Sequence, residues 1–135
     1  MAGYLADSSV LLDLFTKDPL WSPWSLDALE QAWALGEVCI DPIIYAEISV
    51  RFSRIEELEE VIAASGLGWE DLPREALFLA GKVFLEYRKA GGSRTSPLPD
   101  FFIAAHASVS GRILITRDTD RVRRYFPRLS LVSPE

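Results

Sequence analysis

Short apolar runs alternate with longer segments of helical periodicity along the chain, and this alternation restricts the fold more than any other feature of the sequence. The short runs have the length of buried strands, whereas the longer segments carry apolar residues at the spacing of one helix face. Such alternation predicts an α/β fold with a mostly parallel sheet that is covered by helices. We predict strands at 4–6, 38–40, 113–116 and 129–132, a further short strand near residue 69, and helices at 10–15, 26–35, 43–52, 55–64, 75–89, 101–110 and 121–125.

The length and composition of the chain predict one domain, which covers residues 1–135. Of its 135 residues, 49% are hydrophobic, which is enough for one compact core. Cys39 is the only cysteine, so a disulfide framework is excluded and a reducing compartment is expected. The first residues lack the basic segment of a signal peptide, and no apolar run reaches the ~18 residues of a membrane helix. We therefore expect a cytoplasmic protein that does not enter a membrane.

The charges are distributed unevenly along the sequence. The net charge is −6, which by itself argues against a nucleic-acid-binding protein. However, residues 1–81 contain 4 basic and 15 acidic side chains, whereas residues 82–135 contain 10 basic and 5 acidic side chains. A local basic patch that includes Arg121, Arg123 and Arg124 can hold a polyanion even on an acidic protein. The alternative is a solvated surface that happens to be rich in arginine.

Four acidic residues are predicted at one edge of the sheet although they are far apart in the sequence. Asp7 follows the first strand, Asp118 follows the strand at 113–116, and Asp100 opens the helix before that strand. Glu47 lies one turn into the helix that follows the second strand. Ligands of parallel α/β sheets bind beyond the carboxyl ends of the strands, so these four carboxylates are candidates for one site.

Each of these acids also has a purely structural interpretation. Asp7 and Asp118 precede predicted helices and could cap them, and Asp100 in a first turn faces the positive end of the helix dipole. Glu47 lies within a largely apolar helix, where an ion pair with Arg51 one turn later is the simplest structural role. Under these interpretations each acid has its own local role, and the four acids need not form one binding site.

Convergence of the four acids would require a cation. Two carboxylates about 4 Å apart repel each other by roughly 4 kcal/mol at an effective dielectric constant of about 20. The chain has one Cys and one His, so ligation by carboxylate oxygens would favour Mg²⁺ or Mn²⁺ over Zn²⁺. Such ions neutralise phosphate oxygens and activate water, which is the chemistry of a nuclease.

Four segments of the chain resemble the PIN domain, and in particular the VapC toxins of toxin-antitoxin pairs: YLADSSVLLDLF, YAEI, LPDFFIAAHA and ILITRDTDRVRRYFPRLSLVSP. The resemblance implies an α/β/α sandwich, Mg²⁺- or Mn²⁺-dependent endoribonuclease activity, a homodimer, and a cognate antitoxin protein that inhibits the enzyme. It implies that the catalytic and metal-binding acids are Asp7, Glu47, Asp100 and Asp118, with Ser9 and Thr116 as supporting polar residues. Under this hypothesis Arg121, Arg123 and Arg124 contact the RNA backbone.

The chain departs from the family pattern at two places. The family often has Asn or Thr where Ser8 and Ser9 stand, so hydroxyl groups would orient water or phosphate here. Both Asp118 and Asp120 follow the predicted strand at 113–116, and we prefer Asp118 as the fourth acid because it comes directly after the strand and Thr-Arg. Asp120 is the alternative acid, and a non-catalytic PIN-like module that binds RNA or protein is the alternative function.

Three further side chains could be mistaken for parts of the site. His106 comes six residues after Asp100, about 240° around the helix, so we expect it in the core or in a supporting layer. Trp21 and Trp24 lie in a predicted loop, where they either anchor a binding partner or pack beneath the loop.

Overall fold

A five-stranded sheet forms the centre of the protein, whose computed structural model describes residues 3–134. All neighbouring strands are parallel. The strands are β1 (Tyr4–Ala6), β2 (Val38–Ile40), β3 (Gly68–Trp69), β4 (Ile113–Ile115) and β5 (Leu131–Val132), in the order β3-β2-β1-β4-β5 across the sheet. The predicted parallel sheet is confirmed, including the short strand near residue 69, although β5 begins two residues later than predicted.

Seven α-helices in the described residues 3–134 cover the sheet and complete a three-layer α/β/α sandwich. They are α1 (Ser8–Phe15), α2 (Ser22–Leu35), α3 (Pro42–Ile48), α4 (Ile55–Ser65), α5 (Arg74–Lys89), α6 (Pro99–Ser110) and α7 (Asp120–Tyr125). Among the larger helix contacts, α1 packs against α2 and α3, and α5 packs against α6. The fold class that the sequence pattern and the PIN resemblance predicted is thus confirmed for the described residues.

Two helix boundaries differ from the prediction by four residues, whereas the others differ by at most two. Helix α2 begins at Ser22 rather than at residue 26, so Trp24 is helical and packs against the core instead of lying in a loop. Pro23 is compatible with a first helical turn, because the amide that proline lacks would have no partner there. The predicted helix at 43–52 ends at Ile48 and continues as a 3₁₀ turn, where the Ser49 hydroxyl donates to the Tyr45 carbonyl at 2.6 Å.

The strand order places a crevice at the carboxyl ends of β1 and β4. From β1 the chain moves outward to β2 and β3 on one side, and it then crosses to β4 and β5 on the other side. In open parallel sheets the connections diverge at such a switch point and leave a crevice for ligands. The fold therefore determines where a site should be sought before any side chain is considered.

The central strands β1, β2 and β4 are largely buried, as parallel sheets covered by helices require, whereas Trp69 on the edge strand β3 is exposed. Leu5, Ile40 and Ile115 have no exposed surface. Cys39 is also buried, and burial raises the pKa of its thiol to about 11, so it is not a reactive nucleophile at neutral pH. Within residues 3–134, no helix combines the length and the apolar character needed to cross a bilayer.

Candidate active site

A cavity of about 220 Å³ lies at the crevice between the carboxyl ends of β1 and β4. Its walls include all four acids that the sequence analysis selected, which come from α3, α6 and the segments after β1 and β4. The lining residues are Asp7, Ser8, Glu47, Pro99, Asp100, Ile103, Leu114, Asp118 and Val122. The four acids thus lie around one cavity rather than on separate faces of the molecule.

Asp7 is both the N-cap of α1 and the most enclosed acid of the cavity. Its Oδ1 accepts from the Ser8 amide at 2.9 Å, and its Oδ2 accepts from the hydroxyls of Ser9 at 2.8 Å and Thr116 at 2.7 Å. Burial raises the pKa of Asp7, the hydrogen bonds offset part of this increase, and the charge of Asp118 adds to it. The two predicted supporting residues, Ser9 and Thr116, therefore hold the carboxylate of Asp7.

Glu47 faces the cavity from α3. Its Oε1 accepts from the Ser8 hydroxyl at 2.7 Å, and the structure contains no ion pair between Glu47 and Arg51. The structural interpretation of Glu47, an ion pair with Arg51, is therefore wrong. Burial is the largest cause that raises the pKa of Glu47, and the nearby charges of Asp7 and Asp100 raise it further.

Asp100 and Asp118 are the more exposed acids of the cavity, and neither caps a helix. Leu98 is the N-cap residue of α6, and Asp100 in the first turn pairs with Arg121 at 3.2 Å. Thr119 is the N-cap residue of α7, so the capping role considered for Asp118 is wrong. Asp120 lies in an adjacent groove and does not line the cavity, whereas Asp118 does.

The donor set agrees with a hard divalent cation in chemistry, although the side chains do not enclose one as they stand. Among the described residues, no three His, Cys, Asp or Glu side chains form a compact metal-binding group. The carboxylates have other partners: Asp7 and Glu47 are hydrogen-bonded to serine and threonine hydroxyls, and Asp100 is paired with Arg121. The ligands available are carboxylate oxygens, which suit Mg²⁺ or Mn²⁺.

A buried ion pair beside the cavity was not found from the sequence. Asp13 of α1 accepts from Nε and Nη2 of Arg117, both at 2.8 Å, and from the Ser25 hydroxyl at 2.8 Å. The signal was present in the apolar segment VLLDLF, where a carboxylate within a buried helix needs a cationic partner. Arg117 directly precedes Asp118, so the pair fixes the segment after β4 onto α1.

His106 lies in a second buried network and does not line the cavity, in agreement with its predicted place in the core or a supporting layer. Its Nδ1 lies 2.8 Å from Asp41, the N-cap of α3, and its Nε2 lies 2.8 Å from Glu70. Burial opposes the charge of the imidazole, but the hydrogen bonds and charges of Asp41 and Glu70 outweigh burial and raise the pKa of His106. Glu70 is also bonded to Arg112 at 2.8 Å.

We expect the stability of the protein to fall as the pH rises through the raised pKa of His106. A histidine with a raised folded pKa stabilises the fold fully below its ordinary value of 6.5, and this contribution is lost as the imidazolium deprotonates. Substitution of Glu70 by Gln removes one charge partner, so the decrease should occur at lower pH. Denaturant unfolding between about pH 6 and pH 9, with NMR titration of the only histidine in the sequence, measures both effects. An unchanged His106 titration in E70Q would contradict this account.

Comparisons with known proteins agree with the fold and identify the family. The sequence profile of the PIN domain matches residues 4–127. No curated protein sequence matches the chain significantly. Among solved structures, the chain is similar to VapBC2 from Rickettsia felis bound to a promoter DNA fragment, with a TM-score of 0.74, 21% identity and 98% coverage of both chains.

Two other solved structures show the same similarity. A toxin-antitoxin complex from Klebsiella pneumoniae has a TM-score of 0.70, 24% identity and 98% coverage of both chains. VapBC-1 from nontypeable Haemophilus influenzae has a TM-score of 0.72, 18% identity and 96% coverage of both chains. The structural similarity agrees in fold, and the sequence profile covers almost the whole chain. The chain therefore belongs to the PIN domain family.

Proposed function

We propose that the protein is a Mg²⁺- or Mn²⁺-dependent endoribonuclease that acts as the toxin of a toxin-antitoxin pair. The observation that carries the proposal is the arrangement of Asp7, Glu47, Asp100 and Asp118 around one cavity at the switch point of a PIN fold. Isolated caps and surface ion pairs would not place four acids from four segments around the same space. The similarity to chains from VapBC and other toxin-antitoxin complexes supports the toxin assignment.

In the proposed mechanism, Asp7, Asp100 and Asp118 hold the cation, directly or through water. When bound, a divalent cation neutralises phosphate oxygens and makes water a stronger nucleophile. The hydroxyls of Ser9 and Thr116 hold the Asp7 carboxylate in place at the end of β1. The carboxylates of Asp100 and Asp118 are more exposed and lie nearer the mouth of the cavity. Arg121, which pairs with Asp100, must release it or share it when the substrate enters.

Glu47 is proposed to position the attacking water. It is held by the Ser8 hydroxyl, and its raised pKa makes it a better proton acceptor than an ordinary carboxylate. Attack of the water on phosphorus breaks the bond to the 3′ oxygen, so the products carry a 5′-phosphate and a 3′-hydroxyl.

The decisive experiment is RNA cleavage by purified protein as Mg²⁺ or Mn²⁺ is titrated, followed by removal of the ion with a chelator and sequencing of the RNA ends. The proposal expects chelator-sensitive products with 5′-phosphates. The alternative, a non-catalytic module, predicts RNA or protein binding without such products. Cleavage that persists in excess chelator would contradict the metal-dependent mechanism.

We propose that Arg121, Arg123 and Arg124 contact RNA phosphates from α7, the helix whose Val122 lines the cavity. All three are exposed, Arg121 pairs with Asp100, and Arg123 donates to the Ser133 hydroxyl at 2.8 Å. Replacement of Arg124 by Gln should weaken RNA binding and lower the slope of log affinity against log salt by about 1. RNA binding measured at a series of salt concentrations tests this, with the exposed Arg74→Gln on α5 as the control. Equal slopes in the wild type and R124Q would remove Arg124 from the interface.

The remaining parts of the proposal concern organisation and partners. We propose that residues 1–135 form one domain, that two copies form a homodimer, and that a cognate antitoxin protein binds the toxin in the cytoplasm. Support for the antitoxin comes from the toxin-antitoxin complexes to which the chain is similar. Size-exclusion chromatography with light scattering tests the dimer, and co-purification with the product of a neighbouring small gene tests the antitoxin.

We expect the proposed metal to stabilise the fold because the metal-free cavity disfavours its own charges. The raised pKa values of Asp7 and Glu47 mean that stability is lost as pH rises and these groups ionise. At neutral pH, Glu47→Gln should therefore raise the melting temperature of metal-free protein and reduce the further increase that Mg²⁺ produces. Calorimetry with and without Mg²⁺ measures both, with the exposed Glu86→Gln as control. A lower melting temperature for metal-free E47Q would contradict this expectation.

A further inference from the structure

A second groove, of about 510 Å³, lies beside the catalytic cavity. The two spaces share Asp100 and Asp118 as a common wall. The rest of the groove is lined mainly by Trp21, Arg117, Asp120 and Arg121. An aromatic ring and a guanidinium plane therefore lie next to the position where the proposed reaction occurs.

Trp21 is held in place without being part of the core. It occupies the N-cap position of α2, and Oδ1 of Asp18 accepts from the amides of Leu20 and Trp21, both at 2.9 Å. Trp24 and Trp33 pack against the buried core of the described chain, whereas Trp21 does not. Its ring instead lies 5.2 Å from the guanidinium carbon of Arg117. The indole ring is thus partly exposed, and hydrogen bonds fix the backbone that carries it.

Arg117 is also fixed before any ligand arrives. Its Nε and Nη2 are both bonded to Asp13, so these donors are not free to form a fork with a phosphate. Its Nη1 lies 3.6 Å from Asp118. What Arg117 still offers is its planar face, which can stack on an aromatic ring.

The charges in the groove favour a flat neutral ring over a phosphate. The groove is lined by three carboxylates, Asp100, Asp118 and Asp120, and by two guanidinium groups. Both guanidinium groups are already paired with carboxylates, Arg117 with Asp13 and Arg121 with Asp100, so little positive charge is left for an anion. Asp120 offers an acceptor and Arg121 a donor to the edge of a ring that stacks on Trp21. Aromatic stacking of this kind is the usual way in which proteins hold the unpaired bases of single-stranded RNA.

We propose that this groove is a subsite for one nucleobase of single-stranded RNA, in a nucleotide next to the cleaved bond. The base stacks on Trp21, and its phosphate reaches the catalytic cavity, where the proposed cation would offset the charges of Asp100 and Asp118. The inference rests on the proposed nuclease function and adds to it a determinant of substrate choice. It predicts a preference for unpaired RNA, because a paired base cannot enter the groove.

The test uses purified wild-type protein, Mg²⁺ and a short RNA whose cleavage site has been mapped. Abasic nucleotides are placed one at a time on either side of the cleaved bond. One abasic position should lower kcat/KM by about 10-fold or more, and Trp21→Ala on the intact RNA should cause a loss of similar size. The abasic substitution should then have little further effect on W21A, since both changes remove the same contact. Trp21→Phe should restore most of the activity.

The matched control is Trp69→Ala, because Trp69 is 52% exposed and lies on the edge strand β3. It should cleave intact and abasic RNA as the wild type does. If the wild type cleaves all abasic RNAs as fast as the intact RNA, or if the losses from W21A and the abasic nucleotide simply multiply, the subsite is wrong and the nuclease function stands. If the wild type cleaves no RNA in Mg²⁺ or in Mn²⁺, both proposals are overturned.

Discussion

Substitution of Asp100 by Asn is expected to lower metal-dependent RNA cleavage by about 100-fold or more while the fold is retained. Asp100 lines the cavity with Asp7 and Glu47, and its carboxylate is one of the proposed cation ligands. The amide keeps the size of the side chain but removes its charge, so affinity for the cation and stabilisation of the transition state both decrease. The measurement is kcat/KM for a mapped RNA substrate at saturating Mg²⁺, together with thermal unfolding of the variant.

A matched control separates this role from a helix-dipole role. Glu75 is an exposed acid in the first turn of α5, as Asp100 is in the first turn of α6. Each acid interacts with its helix dipole by about 0.3–1 kcal/mol, so Glu75→Gln should change stability slightly and cleavage not at all. Equal cleavage by D100N, E75Q and the wild type would exclude Asp100 from the catalytic machinery.

Substitution of Arg117 by Leu is expected to lower the free energy of unfolding by about 3 kcal/mol. The side chain of Asp13 is only 3% exposed, and Arg117 supplies two of its hydrogen bonds. Removal of the guanidinium leaves the carboxylate buried with the Ser25 hydroxyl as its remaining side-chain donor. Denaturant unfolding monitored by circular dichroism measures the loss.

Two further variants show whether burial is the cause. Arg54 pairs with Glu56 on the surface, where the two side chains are 68% and 64% exposed, so Arg54→Leu should cost less than about 1 kcal/mol. The double variant D13L/R117L removes both charges and should be more stable than R117L alone. A double variant as unstable as R117L would mean that an unpaired Asp13 charge is not what destabilises the single variant.

The sheet could be predicted because each strand carries its own signal. Segments such as VCI at 38–40 and ILI at 113–115 are continuous apolar runs, and buried parallel strands require only such runs with helices between them. The start of α2 was missed because Trp21 and Pro23 resemble a loop. The end of α3 was missed because the Ser49 hydroxyl donates to the backbone carbonyl of Tyr45. Such a contact disturbs a regular helix, and apolar periodicity does not reveal it.

For the candidate site, the sequence predicted which acids share one edge of the sheet. In a parallel sheet the carboxyl ends of all strands lie at one edge, so Asp7 and Asp118 could be placed at that edge from the sequence, whereas the pairing of β1 with β4 came from the structure. The partners of each acid could not be assigned in this way. Glu47 bonds to Ser8, 39 residues away, and not to Arg51 four residues away.

The sequence by itself determined the α/β class, the mostly parallel sheet and the four candidate acids, because apolar periodicity and the alternation of strands with helices are visible in short neighbouring segments. Only the tertiary structure decided that Asp118 rather than Asp120 lines the cavity, that Asp13 pairs with Arg117 across 104 residues, and that Trp21 borders a second groove. These features depend on how helices turn and pack on the sheet. Packing selects among side-chain contacts that the local sequence leaves equally available, so it can be read only from the folded chain.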